Sequence, residues 1–135
     1  MSGGAPGVLV DRDVFEYALV RVVPRLERGE QVNAGVIVYC RAQRFLGARC
    51  VLDEGRLRAL DPGVDVTGVA RALEAVELVC RGGAGAGPAR DEDSGRRFRW
   101  LTAPRSTIVQ PGAIHTGLTR DPAGELERLV ERLVL

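Results

Sequence analysis

From Phe15 to Val23 the chain reads Phe-Glu-Tyr-Ala-Leu-Val-Arg-Val-Val, β-branched and aromatic residues broken by single polar positions, and it stops at Pro24. That pattern predicts a strand, closed where proline removes the next backbone donor. The polar segment Arg25 to Gln31, with Gly29 as its turn signal, leads to a second apolar run, Val36 to Cys40. A third run, Arg44 to Leu52, follows after so few polar residues that a tight antiparallel hairpin turning near Ala42 and Gln43 is expected. If Arg41 faces Arg44, Tyr39 falls opposite Leu46, Ile37 opposite Ala48 and Gly35 opposite Cys50. One hairpin face, with Ile37, Tyr39, Leu46, Ala48, Cys50 and Leu52, is then uniformly apolar and meets the core. The other, with Val36, Val38, Cys40, Phe45, Gly47 and Arg49, is apolar enough to need cover, from either a second protomer or the carboxy-terminal helix.

After the hairpin the period changes. Asp53 to Leu60 reads as a short helix capped by Asp53 and ended by Asp61-Pro62-Gly63. Val66, Val69, Ala70, Leu73, Val76 and Cys80 recur at three- and four-residue spacing, which predicts a longer helix from about Val66 to Arg81, ended by Gly82-Gly83. The stretch 82–95 mixes glycine, proline and charge without a period and reads as a mobile loop. A strand is expected over Ser106 to Gln110, pairing with the first or third strand. Asp121-Pro122 opens a last helix whose stripe is Leu126, Leu129, Val130 and Leu133. The expected fold is α+β: a three- to four-stranded, mainly antiparallel sheet with two principal helices, in one domain over residues 15–135 behind a flexible arm, residues 1–14.

Composition narrows the function classes. The chain has 135 residues, 45 % hydrophobic and 27 % charged, an ordinary globular mixture. Its nineteen basic residues are all arginine and face eighteen acids, so no overall field draws it to nucleic acid or anionic lipid. No apolar run approaches the roughly 20 residues needed to span a bilayer, and the first residues lack a signal-peptide pattern, so a cytoplasmic protein without membrane contact is expected. Cys40, Cys50 and Cys80 have neither disulfide-framework nor zinc spacing. Neither a metal nor a cofactor is expected. The glycines at 82, 83, 85 and 87 follow a helix rather than a strand, and the chain holds no lysine, so they are not a phosphate loop.

Three segments carry candidate chemistry. In Arg25 to Gly35, Glu30 and Asn33 can sit at a strand edge as a base or ligand and a substrate-orienting amide; equally, Glu30 can pair with Arg25 or Arg28 while Asn33 bonds nearby backbone. In Arg96-Arg97-Phe98-Arg99-Trp100, three arginines interleave with two aromatics, a pattern that can neutralise phosphates and stack bases, or simply pack as a strand with the arginines answering Asp91, Glu92 and Asp93. In Trp100 to Leu118, Arg105 supplies a bidentate anion donor, Ser106 and Thr107 supply hydroxyls, and His115 is the only histidine. Ser106 and His115 are therefore the candidate catalytic pair, without the Gly-x-Ser-x-Gly elbow of a nucleophilic triad.

Tyr17-Ala-Leu-Val-Arg-Val-Val-Pro24, Arg28-Gly-Glu-Gln-Val-Asn-Ala-Gly-Val-Ile-Val-Tyr39, Phe45-Leu-Gly-Ala-Arg49, Arg97 to Gln110 and His115-Thr-Gly-Leu118 together resemble the bacterial domain-of-unknown-function family 3037. The resemblance covers nearly the whole chain from Tyr17 onward and implies a small bacterial protein without an established activity. It also implies a partner, since such proteins are encoded beside a HipA-like serine/threonine kinase. The expected function is that of a non-enzymatic binding or accessory protein acting with a protein partner, with a homodimer as a further association. The competing expectation is a small enzyme or ligand-binding domain for a phosphate-bearing or nucleic-acid substrate, using Arg105 and His115. The resemblance emphasises the same two blocks, Gly29 to Gly35 and Arg105 to His115, and so favours the expectation that they share one site.

Overall fold

Strand β1 (Asp13–Val22) runs through the middle of a five-stranded antiparallel sheet in the computed structural model, which describes residues 11–83 and 93–135. On one side lie β2 (Val32–Cys40) and, beyond it, β3 (Phe45–Cys50). On the other, β4 (Val109–Pro111) pairs with the second half of β1 and β5 (His115–Thr119) with the first half. The hairpin has the expected register, with Tyr39 opposite Leu46, Ile37 opposite Ala48 and Gly35 opposite Cys50. Its turn closes through Arg44 N donating to Arg41 O at 3.1 Å, with Arg44 in the left-handed region at φ 52°.

Alternation along the strands feeds two cores. Val20, Val22, Ile37 and Tyr39 meet the helices α1 (Glu54–Leu60), α2 (Val66–Arg81) and α3 (Ser94–Thr102), chiefly through Leu57, Leu73 and Phe98. Phe15, Val36, Val38 and Cys40 meet the helix α4 (Pro122–Leu133) through Leu126, Leu129 and Val130. The second hairpin face is thus covered by the carboxy-terminal helix. Each of these four helices starts on an aspartate whose carboxylate accepts a first-turn N–H: Asp53 from Arg56, Asp65 from Gly68, Asp93 from Arg96 and Asp121 from Gly124, at 2.8 to 3.1 Å. α2 ends as expected on Gly82, whose φ of 75° would strain any other residue.

Five details differ from the pattern read along the chain. The run Arg96 to Trp100 belongs to α3, not to a strand: Phe98, Leu101 and Thr102 form its buried face at helical spacing, and that spacing outweighs the two-residue alternation of Phe98 and Trp100. Ser94 and Gly95, expected in the loop over 82–95, already lie in this helix, while 84–92 fall outside the described residues. The strand expected over Ser106 to Gln110 begins only at Val109, because side-chain bonds hold residues 105–107 in a loop. His115, expected in a turn, opens β5. Of the arm expected over 1–14, residues 1–10 lie outside the described residues, and Asp13 and Val14 are already in β1.

Candidate functional site

The α2–α3 side of the sheet carries an open groove of about 540 Å³. Its floor is one helical facet of α2, with Val69, Ala72, Val76 and Val79, while Trp100 and Leu101 of α3 form one wall and Ile108 with Leu26 completes the rim. The charged residues Arg71, Glu74 and Arg81 lie outside the lining, so the helix presents apolar or small side chains to the opening. Three rim residues remain strongly exposed: Trp100 at 50 %, Leu26 at 48 % and Ile108 at 43 %. Such exposure is costly for large apolar side chains and here is gathered around one opening.

Arg105 is fixed over that wall. Its guanidinium carbon sits 5.3 Å from the centre of the Trp100 ring, in cation–π range. Its Nε donates to Ala103 O at 3.3 Å and its Nη2 donates to Trp100 O. Two of the five N–H groups are thus spent on backbone, and the guanidinium is held in place with donors left over. Thr107 also lines the groove, but its hydroxyl donates to Val109 O at 2.7 Å and so braces the loop. Ser106 is exposed.

The remaining candidates lie elsewhere. Glu30 accepts from Arg28 Nε at 2.6 Å on the surface, and this contact holds its carboxyl below the usual range. Asn33 faces α4, where its Nδ2 donates to Leu133 O at 3.0 Å and caps a carbonyl at the end of the helix. His115 pairs with Tyr17, whose ring it touches at 5.2 Å, and Tyr17 packs with the α4 core. His115 and Arg105 are therefore on opposite faces of the sheet, and no site uses both. Leu26, just before the Gly29 to Gly35 block, lines the groove with Arg105, whereas Glu30 and Asn33 do not. Leu26 was missed because an isolated leucine in a charged loop carries no periodic signal.

The arginines of α3 fan around the helix. Arg99 makes a bidentate pair with Glu16 at 2.7 and 2.8 Å, Arg96 lies 4.0 Å from Asp93, and Arg97 lies over Gly82 and donates to Cys80 O at 3.4 Å. Trp100 points to the groove instead of joining them as a stacking platform. Arg96 and Arg99 do border a polar cleft with Arg41, Arg44, Glu16 and Asp93. Among the described residues no three His, Cys, Asp or Glu side chains gather as a metal site, and no helix is long and apolar enough to cross a membrane. Burial pushes the thiols of Cys50 and Cys80 up to about 12, leaving both poor nucleophiles.

A family model described as a protein of unknown function, DUF3037, matches residues 17–134. The chain belongs to the DUF3037 family. The match spans both cores, the groove and Arg105, and so concerns the domain as a whole. No curated protein and no solved structure matches the chain.

Proposed function

We propose that this DUF3037 member is a non-enzymatic binding protein whose α2–α3 groove receives a segment of a partner protein, one that presents apolar side chains to the groove and a carboxylate to Arg105. The observation that carries the reading is the half-exposed Trp100 wall with a fixed arginine stacked on it, beside an otherwise apolar floor. Tryptophan and arginine are the residue types that most often dominate protein interfaces. The exposed rim favours a protein over a small molecule, since a small ligand would leave Leu26, Ile108 and Trp100 in water, whereas a macromolecule would cover them. Separation of Arg105 from His115 removes the geometry that a joint anionic-substrate site would need.

The HipA-like kinase implied by the resemblance is the partner to test. Trp100 is the only tryptophan, so in a titration with a tryptophan-free segment of the kinase its fluorescence reports occupancy of the groove directly. Binding at micromolar concentration is expected, with a blue-shifted emission. Trp100→Ala should weaken it roughly 30-fold or more, the scale of an interface hot spot. Arg105→Gln should weaken it less and remove its salt dependence. Absence of a complex with the intact kinase at micromolar concentration, or a complex indifferent to both substitutions, would overturn the reading.

A further inference from the structure

The α4-facing row of β1 passes through Phe15, Tyr17 and Leu19 and ends in Arg21, a half-buried cation on the central strand. Its register partners are Asn33 on β2 and Gln110 on β4. A bulge makes this alignment: Val20 pairs with Gly35 and Arg21 with Asn33, so Ala34 is the extra residue and Asn33 swings to the α4 side. A guanidinium and two carboxamides therefore stand abreast across three strands. The guanidinium rests on Gly112, where a Cβ would come 3.2 Å from Nη2 and 3.3 Å from Cζ, tight enough that the guanidinium would have to give by a few tenths of an ångström.

Nothing in the fold neutralises this arginine. Among the described residues it makes no ion pair, and its Nε is buried without an acceptor. The carboxy-terminal end of α4, which Asn33 reaches, carries carbonyls that favour cations. Those carbonyls already have donors: Asn33 serves Leu133 O, and Arg56 Nη1 serves Val134 O at 3.3 Å. Arg21 is left with a buried Nε that has no acceptor, and Gln110 stands at its register position on β4. This is the complement of a two-oxygen anionic group.

From this geometry we infer that Arg21, Gln110 and Asn33, floored by Gly112, form a binding site for the oxyanion of a small ligand, a carboxylate or a phosphate. It lies on the sheet face opposite the groove and needs no protein partner. Asn33 comes from one of the two sequence blocks and Gln110 and Gly112 from the other, with Arg21 between them.

Arginine Nε–Hε resonances of the full chain provide the test, followed during titration with inorganic phosphate and separately with malonate, at ionic strength held constant with sodium chloride. The Arg21 Nε–Hε and Gly112 amide signals should move saturably at millimolar concentration or below while those of exposed arginines stay put. Response to phosphate alone identifies a phosphate-bearing ligand, and response to malonate alone a carboxylate. Gly112→Ala, which crowds the guanidinium, should weaken the response of Arg21 without moving the signals of α4, and Arg21→Gln should remove the stabilisation by the anion seen in thermal melts. If neither anion shifts Arg21 beyond the chloride control, or if all arginines shift alike, the site does not exist. The titration of the unsubstituted chain decides this even if a variant fails to fold.

Discussion

On one face of the sheet a single helix, α4, lies over β2 and β3 and seals Val36, Val38 and Cys40 beneath Leu126, Leu129 and Val130. It stops short of the β1–β5 strip, where Tyr17 and Leu19 are half-buried and His115 is exposed. On the other face α2 and α3 share the cover, burying Phe98 and Leu73 but parting above Val69 and Val76 to leave the groove. Both coverings are incomplete, and what each leaves open differs in kind. The uncovered row beside α4 ends in Arg21, Asn33 and Gln110, whose polar groups can be answered only by hydrogen bonds. The opening between α2 and α3 is apolar, and it gains by excluding water. A hydrogen-bonding small ligand suits the first, and an extended apolar segment of a partner suits the second.

Within α3 the sealed and the open parts of this face lie side by side. Phe98 is fully buried and stacks on Tyr39 with ring centres 5.2 Å apart, so it belongs to the sealed part of the face. Phe98→Ala should cost about 3 to 5 kcal/mol, the usual penalty for deleting a buried aromatic ring, read by urea denaturation. A loss below about 1 kcal/mol would mean that α3 is not docked as described and that the groove has no fixed wall.

Much of this frame could be read from the residues. The hairpin register followed from two apolar runs and a turn too short to allow another pairing, and the Asp-Pro start of α4 from two adjacent residues with separate mechanical roles. α3 was harder because its first turn sits in a Gly- and charge-rich stretch, and its two aromatics mimic a strand. The clue was Asp93 three residues before the Arg96 N–H it caps, with Phe98 and Leu101 following at helical spacing. The site was the least legible part. Arg105 and Trp100 could be singled out as residue types, but the sheet face on which Asn33, Gln110 and His115 project depends on a bulge and on strand pairings that no local pattern specifies.

The same sealed core sets a pH dependence. Cys80 on α2 and Cys50 on β3 have their thiol pKa raised from 9.0 to about 12, chiefly by burial. Below pH 9 the folded and unfolded chains both keep these protons. Above it the unfolded chain releases them while the folded chain does not, so stability falls as pH rises from 9 toward 12. At pH 10 the loss should be about 1 kcal/mol per thiol, measured by denaturant titration. Replacing both cysteines with alanine should flatten this slope, and an unchanged slope would show that the two thiols are open to water. A smaller effect belongs to the other face: Asn33→Ala removes one carbonyl cap of α4 and should cost about 1 kcal/mol while leaving partner binding in the groove intact. Weakened binding would mean that the two faces are coupled.

The smallest expected change in stability carries the most weight. Trp100 lies two residues from Phe98 on the same helix, yet half of its surface is in water and its contact with Arg105 is a surface cation–π pair. Trp100→Ala should therefore cost less than about 1 kcal/mol, several-fold below Phe98→Ala, while weakening partner binding at the groove roughly 30-fold or more. A tryptophan that serves the fold would show the reverse, a large loss of stability with partner affinity following only as the folded fraction falls. Measuring both quantities on the two variants separates a residue that holds α3 in place from one that α3 holds out to a partner.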